Sequence, residues 1–102
     1  MCSGTVTAVP VLHVENERVR VTEWQFAIGA ETGFHVHEYD YTIVPLHPGV
    51  MRLTGPDGDV REVTLVPGVS YFRAAGTAHN VVNIGGTAFA FVEVELKEKK
   101  PE

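Results

Sequence analysis

The stretch GFHVHEYDYTIVPLHPG, Gly33–Gly49, carries two histidines one residue apart at the head of an apolar run of β-forming residues. Successive side chains of a strand point to opposite faces, so His35 and His37 share a face and Val36 lies on the other. Their Cα atoms are then about 7 Å apart, and two imidazoles leaning together can reach one metal ion at ~2.0–2.1 Å from each nitrogen. A chain of this length with 5 histidines contains such a pair by composition alone in about one case in four. Two histidines that line a barrel or face solvent without a metal are therefore the alternative.

Short strand-like segments separated by turns make up the rest of the chain. GPDGD at 55–59 is typical of a hairpin turn, since proline presets φ and Asp-Gly tolerates the left-handed region. We find no helical periodicity over ten residues or more, and short strands at this spacing predict an all-β sandwich or barrel. The predicted strands are Arg18–Ile28, His35–Leu46, Val50–Thr54, Val60–Val66, Val69–Ala74, His79–Ile84 and Thr87–Leu96.

Composition limits the classes of function. A chain of 102 residues predicts one domain, 1–102, with flexible ends at about 1–5 and 97–102. The net charge of −5 argues against nucleic acid as a partner. No run approaches the ~18 apolar residues of a membrane span, and the first residues lack the pattern of a signal peptide. The single cysteine, Cys2, cannot pair within the chain, which favours a reducing cytoplasm.

A second segment, GVSYFRAAGTAHNVVN, contains a third candidate metal ligand. It resembles the second motif of the cupin superfamily, G-x5-P-x-G-x2-H-x3-N, which Gly76, His79 and Asn83 match. Ala74 stands at the proline position, where proline mainly stiffens a turn.

The first cupin motif, G-x5-H-x-H-x3-4-E-x6-G, is met by Gly29, His35, His37 and Gly49. Its glutamate falls at Tyr41, or one residue later at a threonine, and neither is a carboxylate. The resemblance therefore implies three metal ligands, His35, His37 and His79, and leaves open whether a fourth protein ligand exists.

The resemblance implies an all-β fold, a small antiparallel jelly-roll β-barrel (the double-stranded β-helix of cupins). The local sequence around both motifs is similar to that of a group of small single-domain bacterial cupins, which includes proteins named for β-alanine degradation. The implied cofactor is one divalent transition metal, Fe, Mn, Ni, Cu or Zn, since imidazole suits all of them. Three-histidine cupins include thiol and diketone dioxygenases.

The first hypothesis of function is thus a metal-dependent enzyme, an iron-type oxygenase or related, acting on a small anionic molecule. A non-catalytic module that binds a metal or small molecule is the second hypothesis. The third is a metal-assisted isomerase or hydrolase.

Two further residues are candidates for the chemistry. Tyr41 shares the histidine face and is predicted to donate a hydrogen bond beside the metal, with metal ligation or simple packing as the alternatives. Arg73 can bind a substrate carboxylate through its guanidinium fork, or form a structural ion pair with Glu93 or Glu62.

The remaining notable side chains are expected to be structural. Asn83 is expected to satisfy a turn backbone. Surface positions are predicted for His13, His47, Glu38 and Asp40, and core positions for Trp24, Phe26, Met51 and Phe72.

A homodimer is also predicted. The last strand is apolar on both faces, with Phe89 and Phe91 on one and Ala90, Val92 and Val94 on the other.

Overall fold

The computed structural model describes residues 6–97, so Cys2, the two ends beyond this range and their charged residues lie outside the description. Within these residues the chain forms strands and no helix, which confirms the all-β prediction. No helix of the length and hydropathy needed to cross a bilayer occurs there. The strands are β1 (Val9–Glu15), β2 (Val19–Phe26), β3 (His35–Val36), β4 (Asp40–Pro45), β5 (Gly49–Thr54), β6 (Val60–Leu65), β7 (Tyr71–Arg73), β8 (Ala78–Asn83) and β9 (Phe89–Leu96).

The strands form two antiparallel sheets. The larger has the order β1-β2-β9-β4-β7 and the smaller the order β3-β8-β5-β6. Strands β5 and β6 are the predicted hairpin, and its turn uses Gly58 at φ +81°. Strand β1 was not predicted, and its pairing with β2 is irregular between Leu12 and Val14.

The predicted single strand His35–Leu46 is wrong, because the structure divides it into β3 and β4. The chain leaves β3 at His37, whose backbone pairs with the turn that precedes β8. His37 N–H donates to the Thr77 carbonyl at 2.8 Å, and Gly76 N–H donates to the His37 carbonyl at 2.8 Å. Gly76 has φ +91°, which a side chain would strain. The break therefore fixes His37 against the segment that leads into His79.

The apolar core occupies the space between the sheets at one end. Phe26 and Met51 are buried as predicted, and the rings of Phe26 and Phe89 stack with centroids 4.9 Å apart. The core prediction for Phe72 is wrong, because its side chain is 54% exposed. Phe72 is the register partner of Thr42, and its side chain lies on the face of the sheet that points away from the core. Trp24 is half-buried and borders a cavity at the other end.

Asn83 connects the end of β8 to two neighbouring loops, as expected of a residue that satisfies turn backbones. Its side chain is 1% exposed. The amide nitrogen donates to the carbonyls of Phe26, Ala27 and Thr87, and the amide oxygen accepts from Gly85 N–H. This residue thus ties the end of β8 to the loop that follows β2 and to the loop that precedes β9.

The outer face of the larger sheet is apolar at its centre. Val21 lies opposite Val94, and Val44 lies opposite Val92. These four valines are half-buried in a single chain, and exposed apolar side chains of β1 extend the same face.

Candidate metal centre and its cavity

Three histidines from separate segments meet inside the sandwich. His35 is the register partner of His79, and the turn described above brings His37 beside them. The Nε2 atom of His37 lies 3.0 Å from Nε2 of His35 and 3.2 Å from Nε2 of His79. The predicted metal ligands therefore present one nitrogen each to a common point.

These distances fit a divalent transition metal. Nitrogens bound to one ion at ~2.1 Å and separated by tetrahedral or octahedral angles lie about 3.0–3.4 Å from each other. His35 donates from Nδ1 to the Gly33 carbonyl at 2.9 Å, which assigns the proton to Nδ1 and leaves the Nε2 lone pair for a ligand role. The donor set and its orientation are thus arranged to hold a metal ion.

His37 and His79 are held in the neutral form that metal binding requires. Burial, reinforced by the neighbouring His35, lowers the pKa of His37 to about 4. Burial is also the main reason why the pKa of His79 falls to about 4, with smaller contributions from His35 and His37. Both side chains therefore offer a free lone pair at neutral pH without first losing a proton.

The histidines line a cavity of about 530 Å³ that opens between the sheets. Its opposite wall is the inner face of the larger sheet, where strand pairing places side chains in rows. One row consists of Arg73, Tyr41, Glu95 and Arg20, and the next consists of Tyr71, Ile43, Glu93 and Thr22. A cavity of this size suits a small organic ligand.

Two buried carboxylates on β9 were missed by the sequence interpretation. Glu93 is 8% exposed and Glu95 is 7% exposed, and both line the cavity. Alternation along FVEVEL places them on the same face as Phe89 and Phe91, which was the signal available in the sequence. Tyr41 stands where the cupin motif has its glutamate, and β9, a strand distant in sequence, supplies two carboxylates near that position.

The two carboxylates have different partners. Glu95 accepts two hydrogen bonds from Arg20, 2.7 Å to Nε and 3.1 Å to Nη2. Glu93 accepts one from Trp24 Nε1 at 3.2 Å, and its other oxygen lies 3.8 Å from Nδ1 of His37. Burial, with the nearby charge of Glu95, raises the pKa of Glu93 to about 7.

Tyr41 lies against the three histidines of the candidate metal centre. Its ring stacks on the His37 ring, with centroids 3.9 Å apart and planes 19° apart. Its hydroxyl is buried and accepts or donates no hydrogen bond among residues 6–97. Burial raises the pKa of the phenol, with a further contribution from Glu93, so the neutral hydroxyl is favoured over a phenolate. The hydroxyl is thus a free donor beside the site.

Arg73 borders the cavity without the ion pair suggested for it. Its Nη1 donates to the Phe72 carbonyl at 2.9 Å, and its guanidinium carbon lies 4.6 Å from the centre of the Tyr71 ring. Neither Glu93 nor Glu62 contacts it within the described residues. Burial raises the pKa of Tyr71 to about 12 although Arg73 opposes the shift.

The other polar side chains serve structural roles, as expected. Asp40 accepts from Ala75 N–H at 2.8 Å and so supports the turn before β8. His13 is exposed and contacts Glu23 at 3.1 Å, and His47 accepts from the Ala90 backbone at 3.1 Å.

Comparison with known proteins agrees with this geometry. The chain is 52% identical over 95 residues to the β-alanine degradation protein BauB of Pseudomonas aeruginosa, covering 93% of this chain and 99% of the relative. A cupin domain protein from Bordetella pertussis Tohama I superposes with a TM-score of 0.89 at 44% identity, covering 95% of this chain and all of that one. The chain is a small bacterial cupin of the BauB kind. No family model matches it.

The chain is also similar in structure to a larger enzyme. The polyketide cyclase RemF from Streptomyces resistomycificus is 32% identical, with a TM-score of 0.63. The match covers 84% of this cupin and 59% of the cyclase.

Proposed function

We propose that this cupin binds one divalent transition metal and catalyses a reaction on a small anionic molecule. The observation that carries the proposal is the meeting of three imidazole Nε2 atoms, 3.0 and 3.2 Å apart, at the wall of a cavity of about 530 Å³. Three protein ligands leave positions open for a substrate, which is the general arrangement of a catalytic metal site.

The ion, when bound, supplies a Lewis acid, and iron would also supply the redox centre of an oxygenase. The side chains around the ion have different roles. Arg73 faces the cavity with a guanidinium that can hold a carboxylate by two parallel hydrogen bonds. The Tyr41 hydroxyl can donate to a polar atom of the substrate, because no group of the described residues occupies it. Apolar side chains such as Ile43 and Leu53 cover the rest of the wall and exclude water.

The relatives support two versions of the reaction. The name of BauB places that protein in the degradation of β-alanine, a small amino acid with a carboxylate group, which supports a small substrate that carries a carboxylate here. The similarity to a polyketide cyclase supports a second candidate, a metal-assisted reaction with a redox-silent ion.

The test is to purify the protein with its native metal and to quantify Fe, Mn, Ni, Cu and Zn. We expect one ion per chain, and we expect His79→Ala to lose it because two imidazoles hold an ion far more weakly than three. His13→Ala is the matched control, since His13 is exposed and outside the site, and it should keep the metal.

Full metal retention by His79→Ala would remove the proposed site. Iron in the native protein would favour the oxygenase, and zinc the redox-silent reaction. A metal that supports ligand binding without turnover would favour a binding module.

We also propose that two copies pair through the outer face of the larger sheet. The apolar side chains at its centre, Val21, Val44, Val92 and Val94, support this, because a sheet that is apolar on both sides needs a cover on each.

A further inference from the structure

The ring of His37 is in contact with other side chains on three sides. Its Nε2 atom lies 3.0 Å from Nε2 of His35 and 3.2 Å from Nε2 of His79. One face of the ring stacks on Tyr41 with the planes 19° apart, which fixes the plane of the imidazole. On the remaining side, Nδ1 faces Oε2 of Glu93 at 3.8 Å, and this nitrogen has no hydrogen-bond partner in the described part of the chain. The Glu93 carboxylate is therefore the polar group that faces the second nitrogen of the ring.

The Glu93 carboxylate is itself held by Trp24. The indole Nε1 of Trp24 donates to Oε1 of the buried carboxylate at 3.2 Å, and the other oxygen is the one that faces His37. An ionised carboxylate accepts hydrogen bonds and donates none, so the ring nitrogen beside it is the one that carries the proton. The carboxylate needs to approach by about 0.6–1 Å for Nδ1 of His37 to donate a full hydrogen bond to it.

The geometry separates Glu93 from the metal ligands. The ligand atoms of the three histidines lie within 4.8 Å of one another, whereas Glu93 belongs to a second group of close atoms, with His37 and Glu95. Arg20 contacts both oxygens of Glu95, so this second group lacks a free pair of carboxylates for an ion. Glu93 thus lies on the Nδ1 side of His37, outside the set of Nε2 atoms that meet at one point.

We propose that Glu93 is a positioning residue of the metal centre, whose carboxylate keeps the proton of His37 on Nδ1 and so leaves the Nε2 lone pair free for the ion. A neutral imidazole has one proton on one of its two nitrogens, and only the nitrogen without it can bind a metal. A carboxylate that accepts from the other ring nitrogen sets the tautomer and the orientation of such a ligand. The inference rests on the proposed function, because it concerns the same metal centre.

Glu93→Gln reverses the polarity of this contact and keeps the shape of the side chain. The indole of Trp24 can only donate, so the amide oxygen stays with Trp24 and the amide NH₂ group faces His37. A donor beside Nδ1 favours the lone pair on that nitrogen and the proton on Nε2, where the proton blocks the metal. We expect zinc binding, measured at about pH 8 by competition with a chelating dye, to weaken about 10–100-fold. The circular dichroism spectrum of the metal-free variant should match that of the wild type.

The tautomer of His37 is a readout that a merely structural role of Glu93 would not change. Nitrogen-15 NMR of the metal-free protein distinguishes protonated from unprotonated ring nitrogens, and His37→Asn identifies the signals. We expect the proton on Nδ1 in the wild type and on Nε2 in Glu93→Gln. This measurement tests the inference on the wild type alone, since a proton on Nε2 there would overturn it.

Glu95→Gln is the matched control. It removes the same charge from a buried carboxylate of the same strand, whose oxygens are not within 4.0 Å of a His37 nitrogen. The control should keep the Nδ1 tautomer and bind zinc with close to the wild-type affinity.

Three further results would overturn the inference. They are wild-type zinc affinity in Glu93→Gln, equal weakening of zinc binding in Glu95→Gln, and an unchanged His37 tautomer in Glu93→Gln. Weaker zinc binding with an unchanged tautomer would make Glu93 a metal ligand instead. A wild type that binds no metal would remove the proposed function, whereas a wild type that loses its metal in His79→Ala but not in Glu93→Gln would remove this inference alone.

Discussion

Replacing Asn83 by alanine tests how much the buried side chain at the end of β8 stabilises the fold. Asn83 ends β8, the strand that carries His79, and its side chain makes four hydrogen bonds to backbone groups while 1% exposed. Alanine would remove the acceptor of the Gly85 N–H and the donor to three carbonyls, of which, among the turn and loop hydrogen bonds of residues 6–97, only the Ala27 carbonyl has a second donor, Ala30 N–H at 2.9 Å.

The expected loss follows from those four bonds. At about 1 kcal/mol for each net hydrogen bond, and more where a buried group stays unsatisfied, the free energy of unfolding should fall by about 3–5 kcal/mol. Domains of this size are stable by about 5–15 kcal/mol, so the variant should still fold but at the lower edge of stability. With a urea m-value of about 1–1.5 kcal/mol/M, the unfolding midpoint should move down by roughly 2–5 M.

The assay is urea unfolding of metal-free protein, followed by circular dichroism. Asn16→Ala is the matched control, because Asn16 also accepts from backbone N–H groups but in an exposed turn, where the loss should stay near 1 kcal/mol or below. Asn83→Asp keeps the shape and places a carboxylate against three carbonyl oxygens, so it should destabilise at least as much as alanine at neutral pH. A loss below about 1 kcal/mol in Asn83→Ala would refute the reasoning.

Three further predictions concern charge, assembly and the tyrosine. Metal-free protein should lose stability as the pH falls from 6.5 towards 4, because the unfolded chain takes up protons that folded His37, with a pKa of about 4, excludes. Glu93 acts in the opposite direction, since its raised pKa makes stability fall as the pH rises from 4.5 to about 7. The urea midpoints are therefore best compared in Glu93→Gln, which lacks this group. A midpoint that does not change with pH in that variant would contradict the prediction. Light scattering should give about twice the chain mass of 11.1 kDa, and Val94→Asp should give 11.1 kDa, whereas a monomeric wild type would exclude the dimer. Tyr41→Phe should keep the metal and lower turnover or substrate affinity, whereas metal loss would indicate ligation and no effect would indicate packing.

Much of the fold was predictable from local patterns. The hairpin of β5 and β6 followed from GPDGD, and the three candidate histidine ligands followed from the resemblance of two short motifs to those of cupins. The break between β3 and β4 was not predictable in the same way. Residues 35–46 contain no turn sequence that marks a break, and what divides them into two strands is the pairing of the His37 backbone with Gly76 and Thr77. In a continuous strand, the position of His37 relative to His35 would have followed from strand alternation alone.

The sequence by itself determined which side chains could carry the chemistry, because strand alternation and turn residues act over a few positions. Whether His35, His37 and His79 share one point depended on the antiparallel pairing of β3 with β8. The acid near the site was decided only by tertiary structure. Alternation placed Glu93 and Glu95 on one face of β9, but only the pairing of β9 between β2 and β4 gave Arg20 to Glu95 and left Glu93 facing His37 and the cavity. Charges that lie far apart in the chain become partners or remain unpaired through sheet order and register, which no local pattern encodes.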